Sequence, residues 1–199
     1  DGAHVVIDDH HALLAFVTRT SLSGRVPLIR VGRFSRVPEG NFSPLRAGGG
    51  GGSLTGEARV KGVLFVGGAG PDPAAVADDL AEAGLVAAAD AGLERALAMS
   101  VTPDLVLGDF GSLADTSLLE RFPADRVLRF PTDKDETDAE IGLRLLAARG
   151  CDDVTIAGGG GGRLDHLLAL ALLFERERPP RRWVTDREDV RLVDGEAWF

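Results

Sequence analysis

The chain has 199 residues, 44% of them hydrophobic, which is enough for one substantial domain plus a partial neighbour and excludes global disorder. A formal net charge of -9 argues against a nucleic-acid-binding surface, which needs clustered Lys and Arg, and suits a protein that binds anions through metal ions and backbone amides. The single cysteine, Cys151, excludes a disulfide framework or a zinc cluster, and no apolar run of about eighteen residues is present to cross a membrane.

Residues 1–36 predict a strand over His4–Ile7, a helix over His10–Thr18 and a strand over Val26–Val31. The stretch His4-Val5-Val6-Ile7-Asp8-Asp9-His10-His11-Ala12 is similar to the VVIDGHHR segment of ParB-like domains, of which only the tail would be present. Asp9 stands for the glycine of that pattern and Ala12 for its arginine. Asp8, His10 and His11 are candidate ligands, but a helix N-terminus with acidic caps and solvated histidines accounts for them as well. Residues 37–60 carry Pro38, Gly40, Pro44 and the uninterrupted run Gly48–Gly52, and read as a Gly/Pro-rich linker.

From Lys61 the pattern becomes alternating apolar strands and amphipathic helices. Strands are predicted at Gly62–Val66, Leu85–Ala89, Leu105–Leu107, Val127–Phe130 and Val154–Ala157, with two further short ones at Arg182–Thr185 and Val190–Val193. Helical segments are predicted at Pro73–Ala83 (capped by Asp72), Leu93–Met99, Thr116–Arg121, Thr137–Arg149 and about Leu164–Glu177. Thr137 and Glu140 have the spacing of a capping box. Continuous apolar strands separated by helices imply an α/β fold: a Rossmann-like, mostly parallel sheet with helices on both faces. Cys151 falls at a helix-to-strand junction, where a small buried residue suffices.

Ligands of such sheets bind beyond the carboxyl ends of the strands. Asp90, Asp109 and the glycines at 158–162 all fall there. Neither a P-loop nor a G-x-G-x-x-G fingerprint is present. Carboxylates are offered instead: Asp90, Asp109, Asp135 and Asp138 are hard oxygen donors of the kind Mg²⁺ takes together with water and phosphate. Their alternative is plain capping of helices and strand ends. Lys134 and Arg163 supply positive charge for phosphates, and the amides of Gly159–Gly162 are candidates for an oxygen-binding pocket, unless the glycines serve only tight packing. Asp165 is a candidate substrate or nucleotide contact. His166 is a weaker candidate base, because adjacent helical residues point apart.

The segments Ala89-Asp90-Ala91-Gly92, Gly108-Asp109-Phe110-Gly111-Ser112, Lys134-Asp135-Glu136-Thr137-Asp138-Ala139-Glu140 and Gly161-Gly162-Arg163-Leu164-Asp165-His166 resemble the ADGG, GDFDS, KDxTDxE and GGRxDH motifs of thiamine pyrophosphokinases, in that order. The resemblance covers about residues 61–195. It implies Mg²⁺-dependent transfer of a pyrophosphoryl group from ATP to thiamine, giving thiamine diphosphate and AMP. It implies catalytic and metal-holding roles for Asp90, Asp109 and Asp138, and nucleotide or substrate contacts for Lys134, Thr137, Gly161, Gly162, Arg163 and Asp165. It also implies a catalytic domain at 61–180, the truncated start of a C-terminal β-sandwich at 181–199, and a homodimer with no nucleic-acid or membrane partner. Two departures stand out: Gly111 replaces the second aspartate of GDFDS, and Ala91 replaces a glycine. Alternative readings are a diphosphokinase for a pterin alcohol and a catalytically impaired nucleotide- or metal-binding module. No signal peptide is visible, so the cytoplasm is the expected location. The start at Asp1 and the stop inside an apparent strand make both ends candidates for truncation.

Overall fold

The structure, a computed structural model, describes residues 59–193 together with the backbone of 3–8, 13–17 and 29–30. Ten strands are β1 (Ala3–Asp8), β2 (Leu13–Val17), β3 (Ile29–Arg30), β4 (Val60–Phe65), β5 (Ala83–Ala89), β6 (Leu105–Gly108), β7 (Val127–Arg129), β8 (Cys151–Ala157), β9 (Arg182–Val184) and β10 (Glu188–Val193). They form one sheet in the order β3-β2-β1-β10-β9-β8-β4-β5-β6-β7. The run from β9 to β7 is parallel throughout, while β10 returns antiparallel along β9. Among the described residues, four α-helices cover it: α1 (Ala77–Glu82), α2 (Gly92–Ala98), α3 (Asp138–Ala148) and α4 (Leu164–Leu172).

Sheet formation follows from side-chain alternation between two buried faces. Val63 and Phe65 of β4 join a cluster with Val76, Leu93, Ala96 and Val106 beneath α1 and α2. Leu64 and Val66 join the opposite cluster with Ile141, Leu146, Ile156, Leu170 and Trp183 beneath α3 and α4. Both faces are covered, as the continuous apolar strands predict. Cys151 opens β8 as a buried free thiol, and burial pushes its pKa up.

Most predicted elements are present, with boundary differences that have local causes. The segment at Pro73 starts as a 3-10 turn (Pro73–Val76), with the Asp72 carboxylate accepting from the Ala74 amide at 2.9 Å, and only then becomes α1. The expected long helix after Leu164 stops at Leu172 and tightens into a 3-10 turn over Leu173–Glu175. One expectation is overturned: Leu13–Val17, placed in a helix over His10–Thr18, is strand β2. It pairs antiparallel with β1 from Asp8↔Leu13 to His4↔Val17, and this pairing overrides the helical preference of an Ala/Leu-rich stretch. Of the strand expected over Val26–Val31, only Ile29–Arg30 fall among the described residues, and they form β3. His10, His11, residues 37–58 of the expected linker and residues 194–199 lie outside the described residues.

One buried polar network fastens β9 and β10 to the rest. Asp79 of α1, with its side chain 8% exposed, accepts from Thr155 Oγ1 at 2.8 Å and pairs with Arg182 and with Lys61 Nζ at 3.5 Å. The Arg182 guanidinium also grips both oxygens of Asp189, at 2.8 and 2.7 Å. Burial pushes Asp189 up, but the hydrogen bonds from Arg182 and Arg191 outweigh it and hold the carboxyl below its ordinary value. Every charge in this network has a partner.

Candidate active site

Parallel strands end on a common edge, and there the chain releases its carboxylates. Asp90 follows β5 at φ 50°, in the left-handed region that aspartate tolerates better than most residues. Its amide donates to the Leu107 carbonyl at 2.8 Å and its carbonyl accepts from Leu93 at 3.0 Å, so the turn is tied to β6 as α2 begins. Gly92 must be glycine, since a Cβ there would lie 2.2 Å from the Phe65 carbonyl oxygen. Ala91 has ordinary helical backbone at φ -60°, so that departure from the family pattern falls on the tolerant position.

Asp109 follows β6. Phe110 then turns at φ 63°, a costly conformation for an aromatic residue, fixed by burial of its ring with the Arg129 guanidinium 4.9 Å from the ring centroid. The Gly111 amide donates to Asp109 Oδ1 at 2.8 Å. That hydrogen bond holds Asp109 below the usual carboxylate range; burial opposes it, and Thr132 and Lys134 reinforce it.

Asp138 is the first residue of α3, immediately after the cap. The Thr137 hydroxyl accepts from the Glu140 amide at 3.2 Å and the Glu140 carboxylate accepts from the Thr137 amide at 2.7 Å, completing the predicted capping box. Burial pushes Asp138 up, Lys134 offsets part of that, and the charges of Asp90 and Asp109 add to it.

One carboxylate oxygen from each of Asp90, Asp109 and Asp138 lies within 4.8 Å of the others. Asp90 Oδ2 accepts from the Ser112 hydroxyl, but Asp90 Oδ1 and Asp138 Oδ1 are buried and accept no hydrogen bond. The contact of Asp138 Oδ1 with Lys134 Nζ, at 3.2 Å, is ionic. Three carboxylates gathered this closely, two of them carrying a buried oxygen that accepts no hydrogen bond, suit a hard divalent cation in both donor chemistry and charge.

The remaining candidates separate from this trio. Asp135 is exposed and is not a member of it. Arg163 and Asp165 are exposed and grip each other, with Arg163 Nε 3.0 Å from Asp165 Oδ1; the Arg163 guanidinium brings the Asp165 carboxyl down to about 2. His166 is exposed at the first turn of α4. Thr137 spends its hydroxyl on the cap. The pocket expected from the amides of Gly159–Gly162 is narrower than its sequence suggests. Gly159 N donates to the Gly67 carbonyl at 2.8 Å and Gly160 N to the Ala69 carbonyl at 2.9 Å, leaving the exposed Gly161 and Gly162. Sequence reading assigned no role to Ser112 or Thr132. Their signal is a small hydroxyl near each acidic motif, but their aspartate partners are visible only in three dimensions.

The model of the family "Thiamin pyrophosphokinase, catalytic domain" matches residues 77–181, just over half of the chain. Among solved structures, a thiamin pyrophosphokinase family protein from Enterococcus faecalis is 26% identical with a TM-score of 0.50, the match covering 64% of this chain and 62% of that one. The thiamine pyrophosphokinase from Bacillus subtilis is 24% identical with a TM-score of 0.49, covering 67% and 61%. The chain thus spans about three-fifths of the length of these relatives. No curated protein matches it. By the extent of the family match, and with the same α/β fold, the chain belongs to the thiamin pyrophosphokinase catalytic-domain family.

Proposed function

We propose that this chain carries the catalytic half of a thiamine pyrophosphokinase, which moves the terminal pyrophosphoryl group of ATP onto the hydroxyl of thiamine and releases AMP. The single observation that carries the reading is the convergence of Asp90, Asp109 and Asp138 from three separate elements, with two buried oxygens that accept no hydrogen bond. Asp90, Asp109 and Asp138 would hold Mg²⁺, which when bound neutralises charge on the phosphates being transferred.

The protein's own part is positioning and charge. The Gly111 amide favours the charged form of Asp109, and the Ser112 hydroxyl orients Asp90. Lys134 and Arg163 are the cations offered to phosphate oxygens, and the exposed Gly161 and Gly162 stand next to Arg163. Such transfers depend on in-line placement more than on a strong base, in keeping with the exposed position of His166 outside the trio. The homodimer belongs to the same proposal. Leu164, Leu168 and Leu172 repeat at i, i+4 and i+8 on α4, 69%, 55% and 42% exposed, and offer apolar surface for it. No described helix is long and apolar enough to cross a membrane, and cytoplasmic action is proposed.

The test is AMP formation by the full chain with thiamine and Mg-ATP, beside a panel of pterin alcohols. Thiamine-dependent AMP supports the reading, and AMP only with a pterin alcohol transfers it to that acceptor. Gly111 favours one further reading, a site that binds nucleotide and metal but turns over slowly. Tight Mg-nucleotide binding without AMP release would support that instead.

A further inference from the structure

The basic residues of this chain are unevenly chosen. Of 22 Lys and Arg, only Lys61 and Lys134 are lysines. Lys61 belongs to the buried network, paired with Glu82 at 2.8 Å and with Asp79. Lys134 stands in the carboxylate cleft. Its side chain is 16% exposed, its ammonium donates to the Pro131 carbonyl at 2.9 Å, and it lies 3.2 Å from Asp138 Oδ1. Its charge also acts on Asp109.

An arginine would hold such a carboxylate by a rigid two-pronged fork, as Arg182 holds Asp189. A lysine offers a compact point charge on a flexible stem, which can leave one anion for another. The loop around it is exposed at Pro131, Thr132, Asp133, Asp135 and Glu136, so the stem can move without disturbing the core.

We propose that Lys134 is a displaceable counter-cation: its ammonium neutralises Asp138 until a divalent cation arrives, and then swings away to meet the phosphate that comes with the metal. The proposal rests on the reading of Asp90, Asp109 and Asp138 as metal ligands. It adds an exchange, in which one cation leaves the carboxylates as another enters and the freed ammonium becomes available to an anion.

The experiment uses the full chain and Mn²⁺ alone as the probe, with affinity read by electron paramagnetic resonance and lysine exposure by amine acylation and mass spectrometry. Lys61 serves as the internal reference. Adding Mn²⁺ is expected to raise acylation of Lys134 several-fold relative to Lys61. Lys134→Met is expected to bind Mn²⁺ about tenfold more tightly than wild type, by loss of the competing charge. Lys134→Arg, whose fork does not let go, is expected to bind it several-fold more weakly. Long-range repulsion alone predicts equal affinity for the Arg variant and wild type, with unchanged Lys134 acylation, and that result overturns the exchange while leaving the metal reading intact. Absence of Mn²⁺ binding that Asp109→Asn abolishes would overturn the metal reading and the exchange together.

Discussion

Two groups of aspartates, built from the same residue type on the same sheet, are held in different ways. Around Asp79 and Asp189, every carboxylate meets a guanidinium, an ammonium or a hydroxyl. Asp90, Asp109 and Asp138 also have partners, in the Ser112 hydroxyl, the Gly111 amide and the Lys134 ammonium, but their carboxylates crowd one another as well, and two buried oxygens accept no hydrogen bond. A buried charge left short of partners costs several kcal/mol unless a ligand makes up the difference. The first group is internally complete and structural; the second has charge to spare for something that arrives from solution. Substitution should therefore damage stability in one region and chemistry in the other.

The largest expected effect is at Asp79. Asp79→Ala leaves Arg182 and Lys61 short of their buried anion and is expected to cost about 3–5 kcal/mol in denaturant unfolding, with the activity of the molecules still folded retained. Asp109→Asn keeps an oxygen to accept from Gly111 but removes the charge. It is expected to lower AMP formation about 100-fold or more, with little change in the unfolding midpoint. If Asp109→Asn unfolds the chain, or Asp79→Ala abolishes turnover in folded protein, the contrast between the regions fails.

A smaller effect tests the family departure. Gly111 lacks the positive φ that would demand glycine, and a Cβ there would lie 3.1 Å from Asp109 Oδ1, a contact this exposed loop can relax. Gly111→Asp is expected to tighten Mn²⁺ binding about tenfold, because a fourth carboxylate raises the ligand charge, and to lower metal-free stability slightly. Unchanged affinity, measured by calorimetry, would mean that three carboxylates already suffice.

The smallest effects are in pH, and their signs are opposite. Asp189 is held below its ordinary 3.8, so its contribution is present above that value and is lost as pH falls through the lower folded one. Asp138 is raised above 3.8, so its contribution is complete below that value and is lost as pH rises through the folded one. In chelator, Asp189→Asn should therefore be less stable than wild type at neutral pH, with the gap closing in acid. Asp138→Asn should match wild type in acid and exceed it at neutral pH. Parallel curves for the two variants would erase the distinction.

Sequence made the strand ends legible because the apolar runs are short, continuous and punctuated by Asp or Gly. The capping box at Thr137 and the Asp72 cap were legible for the same local reason: the partners lie two or three residues apart. What escaped reading is long-range. Asp135 and Asp138 look equivalent in sequence, but only Asp138 opens α3 with its carboxylate half-buried against Asp90. Gly159 and Gly160 look like free amides until Gly67 and Ala69 are seen to accept from them. Strand β2 needed β1 beside it before its helical composition could be overruled.

The lone thiol at the start of β8 gives this chain a reporter that needs no engineering. Cys151 is buried beside Gly62 of β4, and its raised pKa keeps it poor in thiolate. Cys151 borders a surface cleft with Leu143, Ala147 and Arg178 but is only 3% exposed, so alkylation is expected to be slow while the β4–β8 junction is closed and faster when it opens, and with one cysteine in the sequence each molecule is counted once. Labelling kinetics thus report on opening at the centre of the sheet, and comparing them with and without Mn²⁺ would show whether filling the carboxylate cleft slows movement at the opposite edge of the same sheet.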